Sequence, residues 1–194
     1  MDPHMAIDKF IEKLLPNSTI LDIGGGHDRV HAKRFEAHGH TVKVNDFFPN
    51  SDYFGKFKDI DFDQKFDAVW CSHCLEHQLD VNSFLKKINN VSKKGALICI
   101  TVPPLKHKIV GGHVTLWNAG LLLYNLVLAN FNCSKAMVAS YDYNISVIIN
   151  KQFIELPELI YDKGDLDTLR DYFPKKVNAD KLGAFQGDIS RMNW

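Results

Sequence analysis

Two groups of residues in this chain have types and spacings that can do chemistry. The first is Leu21-Asp22-Ile23-Gly24-Gly25-Gly26-His27, followed later by Asp46. Three adjacent glycines between a strand pattern and a helix pattern let the backbone approach a ligand with no side chain in the way. In open α/β sheets the first such turn is the usual ligand position. Asp46 stands 22 residues after Gly24 at the end of the next strand pattern. A carboxylate there accepts hydrogen bonds from both ribose hydroxyls of a nucleoside. The dinucleotide pattern G-x-G-x-x-G requires glycine at position 29, where Arg29 stands, and no Gly-Lys-Ser/Thr phosphate loop follows. Asp22, two residues before the first glycine, suits a cation or an ammonium group. The indicated ligand has a ribose, a positive group and no phosphate, and S-adenosylmethionine has all three properties.

The second group is built on histidine, of which the chain has nine. Cys71, His73, Cys74 and His77 lie close together, and His73-Cys74-Leu75-Glu76-His77 matches H-x-x-E-H, a zinc-peptidase pattern. A peptidase needs that pattern in the middle of a helix, whereas here it directly follows a strand. A metal-dependent hydrolase using His73, Glu76 and His77 is therefore an alternative reading, and no metal site is assigned. The polar stretch from Pro103 to Thr115 carries Lys106, His107, Lys108 and His113 after the fifth strand pattern. Histidine titrates near neutral pH and can take a hydroxyl proton, and the two lysines suit an anionic acceptor. His27 and His31, spaced i, i+4, read as a surface pair. His38 and His40 flank Gly39 and read as solvated.

The elements that must position these residues alternate in type. Ile7, Phe10, Ile11 and Leu14 mark an amphipathic helix ended by Pro16. Strand patterns cover 19–23, 41–45, 67–71 and 96–102, with a weak one near 56–60. Helix patterns cover 28–38, the stripe Val81, Phe84, Leu85, Ile88 and Val91, and 117–130. The segments 133–139 and 143–150 are β-rich and joined by Ser140-Tyr141-Asp142-Tyr143 as a hairpin. This alternation predicts an α/β fold with a mostly parallel sheet, six clear strands and a seventh weak one. Residues 151–194 predict a short helix near 164–172 and a tail that is mobile after Pro174.

Composition limits the function. Lysine plus arginine number 23 and aspartate plus glutamate 23, so the net charge is zero. That disfavours nucleic acid and anionic membrane as partners. The four cysteines at 71, 74, 99 and 133 sit mostly in apolar runs and fit a reduced, cytoplasmic chain better than a disulfide framework. The longest apolar run, 121–131, is interrupted by Tyr124, Asn125 and Asn130 and is too short to span a bilayer. The N-terminus has no signal-peptide pattern.

Over about residues 18–150 the sequence resembles the class I S-adenosylmethionine-dependent methyltransferases, in particular the small type-11-like branch. Leu21-Asp22-Ile23-Gly24-Gly25-Gly26 is similar to the first motif of that family, and Asp46 falls on its ribose-binding acid. The run from Lys65 to Leu75-Glu76-His77 resembles its fourth-strand motif, and Gly112-His113-Val114-Thr115-Leu116-Trp117 resembles the segment entering its last helix. The resemblance implies a Rossmann-like, doubly wound, mostly parallel seven-stranded sheet with a C-terminal antiparallel hairpin and helices on both faces. It implies a cofactor domain over 5–150, with 151–194 an extension packed on it. The implied cofactor contacts are Asp22, Gly24, Gly25, Gly26, His27, Asp46, Phe47, Cys71, Ser72 and His73, with Asp59, ahead of Asp61, beside the adenine.

The expected activity is methylation of a small molecule, at oxygen rather than nitrogen, with S-adenosylhomocysteine as product. The acceptor would be a sugar, a nucleotide-linked compound or a phosphorylated metabolite. The candidate bases are His113 first, then His73, His77 and His107. An inactive methyltransferase-like binding protein is the other alternative. Monomer and homodimer both remain open.

Overall fold

The protein is described from a computed structural model over residues 2–177 and 183–194. Its elements follow from the apolar patterning. Helix α1, His4–Lys13, buries Ala6, Ile7 and Phe10, and strand β1, Thr19–Ile23, follows it. Helix α2, Val30–Ala37, starts two residues later than the pattern predicts, because Arg29 takes a left-handed φ of 52°. Strands β2, Thr41–Asp46, and β3, Tyr53–Phe54, lead to β4, Phe66–Ser72. Helix α3, Val81–Val91, is capped by the Asp80 carboxylate accepting from the Ser83 amide, and β5, Ser92–Val102, follows. Helix α4, Ala119–Leu128, is capped by Asn118 in the same way. It is shorter than the 117–130 pattern, since Asn118 and the left-handed Asn130 mark its two ends.

Strands β6, Met137–Tyr141, and β7, Asn144–Asn150, form the expected hairpin, with Tyr141 opposite Asn144. The loop is thus Asp142-Tyr143, two residues shorter than the predicted one. A short helix α5, Asp165–Thr168, and a 3-10 turn, Arg170–Tyr172, occupy the segment expected to be one helix. The chain then adds β8, Arg191–Met192.

The sheet has eight strands in the order β3-β2-β1-β4-β5-β7-β6-β8. β1 through β5 pair in parallel, and β7 lies antiparallel between β5 and β6. The doubly wound α/β fold with a C-terminal hairpin is as expected, but the strand count is not. Near 56–60 the chain forms a 3-10 turn, Phe57–Asp59, instead of a strand. The third strand is the two-residue pair before it, ended at Gly55, whose φ is 123°. The eighth strand pairs Arg191 with Ala139 and Met192 with Val138. Two residues are too few to show any periodicity in sequence. The tail beyond Pro174, expected to be mobile, therefore rejoins the sheet at Arg191–Met192, while 178–182 lie outside the described residues.

Both faces of the sheet are covered, which explains the continuous apolar strands. Along β4, Ala68 and Trp70 pack into one cluster with Phe10 and Phe35, while Val69 and Cys71 pack into the other with Leu85 and Leu123. Leu169, Phe173 and Met192 from the last segment join the second cluster. No helix among the described residues is long and apolar enough to cross a membrane.

Candidate functional site

The carboxyl ends of β1, β2 and β4 meet at the glycine turn. The Gly24 amide donates to the Asn45 carbonyl at 2.8 Å, and the Gly26 amide donates to Asp46 Oδ2 at 2.8 Å. Asp46 Oδ1 accepts from the Phe47 amide at 2.6 Å. Each carboxylate oxygen has a second lone pair, so Asp46 can hold the turn and still accept from a diol. Gly24 has φ 75°, and a Cβ on Gly25 would stand 2.8 Å from Asp22 Oδ2. No side chain fits at position 25. Arg29 bolts the turn from outside, donating to Asp52 Oδ2 at 2.9 Å and to Glu36 Oε1 at 3.3 Å.

Asp22 is 1% exposed, and its Oδ2 has no hydrogen-bond partner. Burial pushes its pKa up to about 7, with the Asp46 charge adding to the rise and Arg29 opposing it. A buried carboxyl with an unused oxygen behind a glycine turn can accept from a donor or pair with a cation.

The second centre lies at the ends of β4 and β5. Ser72 is buried with its Oγ unpartnered. His73 has φ 52°, and its Nε2 donates to Asn144 Oδ1 at 2.9 Å. Its Nδ1 stands 3.3 Å from Glu76 Oε1. Leu75–His77 is a 3-10 turn, so His73 and His77 do not share the α-helical face that a zinc peptidase requires. His77 Nδ1 donates to the Gly112 carbonyl at 2.8 Å, and its ring meets His113 edge-on at 5.0 Å between centroids. Cys74 Sγ would stand 3.3 Å from a Cβ on Gly24, so the two centres touch. Cys71 is buried, and its thiol is held neutral by a hydrogen bond with Cys74 and by burial, both of which raise its pKa. All four thiols are free.

The 103–116 loop covers this end. The amides of Val114 and Thr115 donate to the Glu76 carbonyl at 2.9 and 3.3 Å. Lys106 Nζ stands 3.9 Å from the Tyr143 ring centroid. The hollow between Lys106, Lys108, His113, Trp117 and Tyr143 holds only about 10 Å³, about one water. A larger surface hollow of about 690 Å³ is lined by 60–65 and α3 and by no residue of either centre. It is an open surface depression, and of the acids expected beside the adenine it holds Asp61, the second choice.

A sequence profile described as Methyltransferase domain matches residues 4–127. The chain belongs to this methyltransferase family. Solved structures share its fold. Burkholderia thailandensis 1,6-didemethyltoxoflavin-N1-methyltransferase, bound to 1,6-didemethyltoxoflavin and S-adenosylhomocysteine, is 16% identical over 77% of each chain, with a TM-score of 0.64. A mitomycin 7-O-methyltransferase is 12% identical over 76% of this chain and 53% of its own, at 0.58. The PH0226 protein of Pyrococcus horikoshii is 14% identical over 75% and 87%, at 0.60. No curated protein matches in sequence.

In this methyltransferase the expected cofactor residues fall in distinct places. Asp22, Gly24, Gly25, Gly26 and Asp46 converge at the glycine turn. His27 is exposed at its rim, bonded to Asp28 and edge-on to Phe48, and Phe47 is 62% exposed beside it. Cys71, Ser72 and His73 end β4, next to β1. Asp59 is exposed in the turn after β3, on the side of Lys87 in α3. Of the candidate bases, His73, His77 and His113 come together, whereas His107 is exposed in the loop. His31 is not a surface residue: its Nδ1 accepts from Trp70 Nε1 at 3.1 Å. His40 is half-buried rather than solvated, which lowers its pKa. Sequence reasoning missed Asn144 and Tyr143, which reach the site from the hairpin 70 residues beyond His73. Nothing in the local sequence signals them, since the contact depends on β7 lying beside β5.

Proposed function

We propose that the protein transfers a methyl group from S-adenosylmethionine to a small-molecule acceptor, with oxygen the favoured atom. The observation that carries this is Asp22, buried behind the glycine turn with an oxygen unpartnered, beside Asp46 on the same turn. Asp22 would take the ammonium group and Asp46 the ribose diol. When bound, the cofactor supplies a methyl on a positively charged sulfur, and the sulfur keeps the bonding pair as the acceptor oxygen forms its new bond to carbon. The protein's own work is to bind, align and take a proton. Alignment alone can contribute about 7–11 kcal/mol.

The acceptor's hydroxyl proton is lost at the His73, His77 and His113 group. Because the Gly112 carbonyl can only accept, His77 carries its proton on Nδ1 and has a free lone pair on Nε2. Lys106 and Lys108 favour an acceptor with an anionic group, such as a phosphorylated or nucleotide-linked sugar. The N- and O-methyltransferases among the solved relatives support the class, and the histidine group favours oxygen.

Calorimetric titration of S-adenosylhomocysteine tests the reading. Micromolar binding is expected, weakened at least tenfold in Asp46→Ala. Absence of binding to both S-adenosylhomocysteine and S-adenosylmethionine would overturn it.

A further inference from the structure

Glu76, His77 and His113 are, among the described residues, the one set of metal-ligating side chains that converges. One donor atom from each lies within 4.8 Å of the other two. Glu76 is 1% exposed, and its Oε2 has no hydrogen-bond partner. A buried carboxyl oxygen in that state is short of a partner, which a cation would supply. His73 faces the other oxygen, Oε1, at 3.3 Å and leaves Oε2 unmatched. His77 is already in the tautomer of a metal ligand. Its Nδ1 proton is held by the Gly112 carbonyl, which directs the Nε2 lone pair 3.9 Å from Glu76 Oε1. A carbonyl holding the far nitrogen of an imidazole is the usual orienting partner of a metal-bound histidine. The Glu76 carbonyl, by holding the Val114 amide at 2.9 Å, seats His113 over the same spot.

We propose that Glu76, His77 and His113 bind one divalent transition-metal ion, with zinc the best match to two imidazoles and a carboxylate. Three protein ligands leave a fourth position open. Tetrahedral ligands at about 2.0–2.1 Å from zinc stand about 3.3 Å apart, so the donors draw together by about an ångström. The exposed His77 and the half-buried His113 can supply that movement by rotating their rings. The ion's open position would take the acceptor oxygen and lower the pKa of its hydroxyl, with the proton passing to His73 Nδ1, which has no hydrogen-bond partner, so His77 and His113 serve as ligands and not as the base. That role rests on the methyl-transfer reading; the binding of the ion does not.

Zinc competition against a chromophoric chelator on the full chain tests the site, with circular dichroism to verify folding. One zinc per chain at micromolar affinity or tighter is expected, weakened at least 30-fold in His113→Ala and in Glu76→Gln. If Glu76→Gln does not fold, His113→Ala decides alone, since that residue lies on a surface loop. No zinc binding, or equal affinity in His113→Ala, would overturn the proposal. Wild-type S-adenosylhomocysteine binding is measured in parallel. Zinc binding without it defeats the cofactor reading and leaves the metal site standing, and the converse defeats the metal site alone.

Discussion

The glycine turn and the histidine group are neighbours built by opposite means. The turn is mostly backbone: amides, left-handed glycines and two carboxylates from adjacent parallel strands, with the Gly26 to Asp46 bond spanning 20 residues. The histidine group is side chains from three segments, with bonds spanning 35 residues from His77 to Gly112 and 71 from His73 to Asn144. A backbone receptor suits a partner that never changes, because the peptide groups themselves recognise it. A side-chain receptor suits a partner that varies, because single substitutions redirect it while the fold stays intact.

The contrast is sharpest where the backbone has no slack. Gly25→Ala places a methyl 2.8 Å from both Asp22 Oδ2 and Val44 Cγ1. Overpacking of this kind costs about 1–3 kcal/mol, and displacement of Asp22 adds to it. S-adenosylhomocysteine affinity should fall about 100-fold, with zinc affinity unchanged. Loss of both in a folded variant would show that the two centres are one unit.

Asp22→Asn separates charge from shape. Its carboxyl keeps a proton up to about pH 7 when folded and loses it near 3.8 when unfolded. The unfolded state therefore binds fewer protons across that window, and wild-type stability falls as pH rises from about 4 to 7, at most about 1.4 kcal/mol per unit. The asparagine variant should lose this slope and melt higher than wild type at pH 8, while its cofactor affinity drops about tenfold. Wild-type affinity for S-adenosylhomocysteine should rise from pH 6 to 8, with proton release visible in buffers of different ionisation enthalpy. A flat profile would remove Asp22 from ammonium binding.

Asn144→Ala releases His73 without touching the glycine turn. Turnover should fall about tenfold through misalignment, with cofactor affinity intact. The smallest effect is expected at Lys106. Its placement over Tyr143 is worth about 0.5–1 kcal/mol, so Lys106→Ala should raise the acceptor KM about threefold and leave kcat alone.

Reading the sequence went furthest where contacts are local. Asp22, the three glycines and Asp46 share one strand-turn-helix-strand unit, and apolar patterning finds the long helices and strands, although β6 runs from Met137 to Tyr141 and not over 133–139. Periodicity has no purchase on β3 and β8, which are two residues each. It also hides tertiary partners. Trp70 reaching His31, Asn144 reaching His73 and Glu76 holding the 103–116 loop all depend on which strands lie side by side. That order places β7 between β5 and β6, and no local pattern announces it.

The same strand order has a consequence for how the protein matures. A chain leaves the ribosome from its N-terminus, and closing a short loop loses less entropy than closing a long one. The Asp22–Asp46 half can form once the first strands have emerged. The histidine group is completed only by β7, because the His73 ring gains its bond to Asn144 when that strand arrives, although its amide already bonds the Thr101 carbonyl. The glycine turn is thus the first of the two centres to have all its partners synthesised, and the histidine group the second.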